Sequence, residues 1–137
     1  QAQLNGVADK VHSLKGDAFA AMKQLHEDGE RFDMVIIDPP AFIARRKDIK
    51  AGELAYQRAN QLAMRLLTPE GILVSASCSM HLERTRLTQL LQEACRKNGR
   101  NGQVLEQGGQ GGDHPIHPAI PETDYLKSVI LRTWYED

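Results

Sequence analysis

Phe32-Asp33-Met34-Val35-Ile36-Ile37-Asp38-Pro39-Pro40 is the stretch from which the fold is read. Met34 to Ile37 is an unbroken apolar run, and a strand apolar on both faces belongs to a sheet covered by helices on each side. Two prolines then stop the strand, because neither has an N–H to give to a ladder. Downstream, Ile72-Leu73-Val74-Ser75-Ala76-Ser77 reads as a second buried strand ending at Cys78. Upstream, Val11 to Gly16 alternates weakly and reads as a short strand.

Helices separate these strands. Asp17 can cap one whose apolar stripe is Ala18, Met22 and Leu25, and Gly29 ends it. From about Glu53, Ala55, Ala59, Leu62, Ala63, Leu66 and Leu67 form a second stripe, closed by an expected turn at Thr68-Pro69-Glu70-Gly71. A third helix begins near Glu83, places Leu87, Leu90, Leu91, Ala94 and Cys95 on one face, and stops at Asn98-Gly99. Gln103 to Gln107 and Leu126 to Trp134 read as further strands, with a glycine- and proline-rich loop over 108–123 between them. This alternation predicts an α/β domain with a mainly parallel sheet. Ligands of such sheets bind beyond the carboxyl ends of the strands. Asp17, Asp38-Pro39-Pro40 and Ser77-Cys78-Ser79 each fall where a predicted strand stops, which points to a single crevice.

Composition narrows the function. A chain of 137 residues with 41% hydrophobic content is long enough for one packed domain. Its formal net charge of -1 excludes a strongly basic nucleic-acid-coating protein. No apolar run reaches the ~18 residues of a membrane span. Cys78 and Cys95 are too few for a disulfide framework and lack zinc-site spacing, so a reducing, cytoplasmic setting is the default. His114 and His117 lie between prolines with no third ligand apparent, so no metal is expected.

Several residues admit two readings. Asp38 is either an acid held rigidly by Pro39 and Pro40 or a solvated residue in a strand-ending turn. Cys78, between two serines and just before a helix, is either a thiolate nucleophile or a small buried thiol. Cys95 is its internal control, on the apolar face of a helix. Asp17 can cap a helix or bond a ligand. Arg45, Arg46, Lys47 and Lys50 form a solvated basic loop or a phosphate-contacting one. Gly108, Gly109, Gly111 and Gly112 match no phosphate loop, and His114 suits the rim of a site better than a metal.

Taken together, the run from Phe32 to Phe42, Ser77-Cys78-Ser79, Asp113-His114-Pro115 and Tyr125-Leu126-Lys127 resembles the bacterial ribosomal RNA large subunit methyltransferase I family. The resemblance implies a Rossmann-like class I methyltransferase fold, S-adenosylmethionine as cofactor, ribosomal RNA as partner, and methylation of carbon five of a cytosine. It implies Cys78 as the nucleophile and Asp38 on the cytosine edge, with Asp17, Ala18, Asp38 and Pro39 at the cofactor and Pro40, Phe42, Arg45, Arg46 and His114 toward the RNA. Ala41 and Met80 depart from the family's usual lysine and glycine, and no second cysteine accompanies Asp38-Pro39-Pro40.

The resemblance also implies residues that this sequence lacks. Nothing before Val11 supplies the first two strands and the glycine-rich loop of such a fold, nor the family's N-terminal RNA-binding portion. The expectation is that residues 1–137 are the C-terminal part of a methyltransferase catalytic domain. A strand at 11–16 would then leave a gap in the sheet, to be filled by a homo-oligomeric partner or by strand exchange. Methylation of an exocyclic base amine, and a non-catalytic interaction domain that keeps the fold, are the alternatives.

Overall fold

The computed structural model describes residues 1–136. Its elements follow in the order α1 (Ala18–Glu27), β1 (Phe32–Ile37), α2 (Ile49–Arg65), β2 (Leu67–Ser77), α3 (Arg84–Lys97), β3 (Arg100–Gly108) and β4 (Lys127–Tyr135). The four strands form one sheet in the order β1-β2-β4-β3.

The sheet is mixed rather than mainly parallel. β1 and β2 run parallel, because α2 carries the chain back between them, with Ile37 opposite Ser75. β4 is antiparallel to both β2 and β3. The long loop after β3 therefore starts and ends at the edge where β1 and β2 stop, since Gly108 pairs with Ser128 and Lys127 pairs with Ser77.

One face of the sheet is covered. Val35, Ile37, Leu73, Val129 and Leu131 pack with Tyr56, Leu62, Ala63, Leu87, Leu90, Leu91 and Ala94 from α2 and α3. The α3 stripe buries as its spacing predicts; of the expected α2 stripe, Ala59, Leu62 and Ala63 are buried, Ala55 is half-buried, Leu66 is the C-cap and Leu67 already belongs to β2, while the helix starts at Ile49, ahead of the expected Glu53. On the opposite face of β1, Met34 is 51% and Ile36 64% exposed. The expectation of helices on both faces thus fails for the described residues: a continuous apolar run shows that both faces suit burial, not that each is covered.

Three further expectations are corrected. Val11 to Gly16 is not a strand; Leu14 is 72% exposed, and no ladder partner gives its weak alternation a sheet to join. The four strands are consecutive neighbours, so the sheet has no internal gap. Thr68-Pro69-Glu70-Gly71 is not a turn but the bulged start of β2. From Phe32↔Leu67 to Met34↔Ile72, β1 advances two residues (34 − 32) while β2 advances five (72 − 67). The buried Arg100 guanidinium holds this bulge, donating to the carbonyls of Leu67 (2.8 Å), Thr68 (3.0 Å) and Pro69 (3.2 Å).

Candidate active site at the carboxyl edge of the sheet

Because β1 and β2 are parallel and in register, Asp38 and Cys78 leave the sheet at the same edge. The turn carrying Asp38, Pro39 and Pro40 is exposed to half-buried, while Phe42 and Ile43 turn back inward against α2. Gly52 permits that approach: a Cβ there would collide with Ile43 Cγ1 and stand 2.7 Å from the Phe42 carbonyl oxygen.

Cys78 is half-buried and flanked by two buried serines. Ser77 Oγ donates to the Tyr56 hydroxyl (2.9 Å) and accepts from the Ser79 N–H (3.1 Å). The Tyr56 hydroxyl also accepts from the Phe42 N–H (3.3 Å) and lies 2.5 Å from Ser79 Oγ, which in turn accepts from the Ile43 N–H (3.3 Å). The Ser79 carbonyl accepts from the Lys127 ammonium (2.5 Å) and from the Leu82 N–H (3.1 Å). Each polar group of Ser79 is engaged, so the residue after the cysteine is fixed through N–H, hydroxyl and carbonyl alike.

Lys127 is only 6% exposed. Burial pulls its pKa below the usual lysine range; Asp124 and the Cys78 thiol oppose that by favouring its charge, and Arg84 adds to the lowering. In Cys95, by contrast, burial pushes the thiol pKa up, with Arg100 acting the other way. The two cysteines thus occupy different settings, as their sequence positions suggest.

An aromatic chain joins the third predicted segment to these two. The Phe19 ring, next to Asp17 and Ala18, lies 6.2 Å from that of Phe42, and Phe42 meets Tyr56 edge-on at 4.8 Å. Asp17 itself is the N-cap of α1, its Oδ2 accepting from the Ala20 N–H at 3.1 Å, and both Asp17 and Ala18 are exposed. Segments 17–19, 38–43 and 77–79 are therefore brought together.

The remaining predicted residues stand further out. Arg45 is exposed and paired with Asp48 at 3.2 Å, and Arg46 is exposed in the same turn. His114 is exposed on the loop that begins and ends at this edge; its ring contacts Asp113 at 3.3 Å and its carbonyl accepts from Gln110. Among the described residues, no three His, Cys, Asp or Glu side chains gather as a metal site, and no helix is long and apolar enough to cross a membrane. A cavity of about 680 Å³ lies at the other end of the sheet, lined by Cys95, Arg100, Gly102 and Leu131, away from every predicted site residue.

Sequence reasoning missed Tyr56, Gly52 and the setting of Lys127. Tyr56 falls beside the aliphatic stripe of α2, and its partners are 21 and 23 residues away in sequence. The one available signal was an aromatic hydroxyl on the buried face of a helix, which has to find a partner.

A parallel β1-α2-β2 unit extended by an antiparallel pair, with charged and thiol groups at the strand ends, is part of the class I S-adenosylmethionine-dependent methyltransferase fold. Solved structures bear this out. A candidate S-adenosylmethionine-dependent methyltransferase from Streptococcus mutans superposes with a TM-score of 0.70 at 16% identity, over 85% of this chain and 29% of that one. NSun6 from Pyrococcus horikoshii superposes with a TM-score of 0.67 at 20% identity, over 99% of this chain and 37% of that one.

By sequence, the chain is a homologue of the ribosomal RNA large subunit methyltransferase I proteins. It is 35% identical to that of Aeromonas salmonicida over 132 residues, 96% of this chain and 33% of the relative. The protein of that name from Tolumonas auensis is 37% identical over 123 residues, 90% of this chain and 31% of the relative. The chain thus spans about a third of the length of the curated relatives it matches. No family model matches it.

Proposed function

We propose that this chain is the C-terminal, base-handling part of an S-adenosylmethionine-dependent methyltransferase that modifies carbon five of a cytosine in ribosomal RNA. The observation that carries the reading is Cys78: a half-buried thiol between two immobilised serines, beside a buried lysine, at the edge where Asp38 also emerges. A merely structural cysteine would resemble Cys95, buried on a helix in the core.

The residues present fit the cofactor. Asp17 spends one carboxylate oxygen on its helix cap and leaves the rest of the group exposed beside Ala18, on the segment whose Phe19 ring lies 6.2 Å from that of Phe42, on the loop that follows Asp38-Pro39. These four residues would hold S-adenosylmethionine, which when bound supplies an electrophilic methyl group. Pro40, Arg45, Arg46 and His114, all exposed, and the half-buried Phe42 would contact the RNA.

In the chemistry that follows, the Cys78 thiolate forms a bond to carbon six of the cytosine. The carbon five–carbon six π pair then resides on carbon five, which becomes the nucleophile that is methylated. Asp38, in its acid form on the base edge, hands a proton to ring nitrogen three as the thiolate adds and takes it back as the sulfur leaves, so the addition leaves no net charge on the ring. Removal of the carbon-five proton by a base restores the double bond, and the sulfur departs as thiolate. The Lys127 ammonium, fixed on the carbonyl of the residue that follows the cysteine, sets a positive charge at the turn where the sulfur adds and departs.

Methylation of an exocyclic amine is disfavoured by the placement of Phe42. An enzyme of that kind needs a free aromatic to stack on the base, but the Phe42 ring is packed against Tyr56 and Phe19. The test is Cys78→Ala in the full-length enzyme with the RNA product mapped. Methyl transfer should vanish while S-adenosylmethionine affinity stays within about twofold, because the thiolate attacks the base and does not hold the cofactor. Retained carbon-five methylation would overturn the covalent mechanism. Absence of any cofactor binding would favour a non-catalytic interaction domain.

A further inference from the structure

Resting on the reading of Cys78 above, we propose that Tyr56 is a positioning residue for the reaction: its hydroxyl locks the Ser77-Cys78-Ser79 turn to the loop that follows Asp38.

The hydrogen count gives the lock a direction. The Tyr56 oxygen accepts from the Phe42 N–H and from Ser77 Oγ, and its single hydrogen is left for Ser79 Oγ. Ser79 Oγ then accepts from both Tyr56 and the Ile43 N–H. The donor chain therefore runs Ser77 to Tyr56 to Ser79, and the backbone N–H groups of Phe42 and Ile43 are drawn into it. Tyr56, Ser77 and Ser79 are essentially inaccessible to water, so no solvent molecule substitutes for a lost bond.

The consequence is geometric. Cys78 has a pinned residue on each side, and the segment carrying Asp38 is pinned to the same oxygen four residues later, at Phe42. One hydroxyl on α2 thus fixes the separation of the nucleophile from the acid that must meet the same cytosine. Attack at carbon six tolerates little error in that separation, since a displacement of about 1 Å costs on the order of 100-fold in rate. A tyrosine present only to fill the core would need its ring and not this set of bonds.

Tyr56→Phe tests the proposal, because it keeps the ring packed on Phe42 and removes only the oxygen. In the full-length enzyme, the rate of covalent adduct formation with RNA carrying 5-fluorocytosine, whose carbon five has no proton to lose, should fall about 30-fold. The kcat should fall in parallel, with KM for S-adenosylmethionine within about twofold of wild type. Ser79→Ala should give the same pattern, and the double variant should be little worse than either single one, as expected for groups acting as a unit. Wild-type adduct formation and kcat in both folded single variants would overturn the proposal. Equal losses in adduct rate and cofactor binding would also overturn it, by showing general destabilisation. Cys78→Ala in parallel separates the levels: if it still yields 5-methylcytosine, both the covalent reading and this inference fall. If it abolishes methylation while Tyr56→Phe behaves as wild type, only this inference falls.

Discussion

Lys127 and Ser79, 48 residues apart in sequence, are joined by a 2.5 Å hydrogen bond from the lysine ammonium to the serine carbonyl. The bond ties the first residue of β4 to the residue after Cys78. It gives a buried cation a fixed place beside a thiol, in a strand position where an apolar residue would otherwise be expected.

Lys127→Met should expose both roles of that ammonium. Adduct formation should slow by about 10-fold, as for loss of one well-placed electrostatic contact of ~1.4 kcal/mol. Stability should respond to pH in a defined direction. Burial lowers the folded-state pKa of Lys127, so between that value and the unfolded one the unfolded chain binds more protons than the folded chain. This group's contribution therefore grows as pH rises through the window and is lost as pH falls through the folded value. Urea unfolding at a series of alkaline pH values should show that rise in wild type and a smaller one in Lys127→Met.

Gly52→Ala should disturb the site from below. The new methyl would collide with Ile43 Cγ1 and approach the Phe42 carbonyl oxygen to 2.7 Å, where backbone cannot yield cheaply. Overpacking of this kind costs about 1–3 kcal/mol. Although alanine is the better helix former, chemical denaturation should find the variant less stable than wild type. An unchanged or higher midpoint would show that the 42–43 loop is not seated on α2 as described.

The two cysteines should differ in alkylation. Cys78 is half-buried, whereas Cys95 is 5% exposed and its thiol is held protonated by burial. Iodoacetamide under native conditions, followed by peptide mass mapping, should modify Cys78 well before Cys95. Equal rates would mean that α3 opens as readily as the turn that carries Cys78.

Arg100→Lys should destabilise the sheet rather than the site. The guanidinium serves three carbonyls, Thr133 Oγ1 and the Tyr135 hydroxyl, and stacks over the Tyr135 ring at 4.2 Å. An ammonium cannot reproduce that fork, and the buried Leu67 carbonyl left unpaired costs about 1–3 kcal/mol. The thermal midpoint should drop while the reactivity of Cys78 in the folded protein is unchanged.

What was legible in the sequence follows from how far each signal travels. The Asp17 cap, the stripes of α2 and α3, and the two parallel strands are encoded within a few residues, and they place Asp38 and Cys78 at one edge. The bulge at 68–71 is not, because the group that holds it, Arg100, lies more than 30 residues away. Val11 to Gly16 carried a strand's pattern without a partner strand, and pattern without a ladder does not make a strand. At the candidate site the shared edge of Asp38 and Cys78 was readable from their positions at strand ends. Tyr56 and Lys127 were not, since their significance lies in which distant atoms they meet.

Asp17 offers the last test, because its two readings make separable predictions. As a cap it accepts from the Ala20 N–H, a role asparagine fills nearly as well, whereas alanine costs about 1 kcal/mol. As a cofactor contact it supplies a carboxylate that accepts hydrogen bonds only, and asparagine would replace one oxygen with an amide donor. Asp17→Asn should therefore retain the unfolding midpoint while weakening S-adenosylmethionine binding about 10-fold by calorimetry. Asp17→Ala should lower both. If Asp17→Asn binds the cofactor as wild type does, the carboxylate is a helix cap alone, and the cofactor must be held by other groups at this edge.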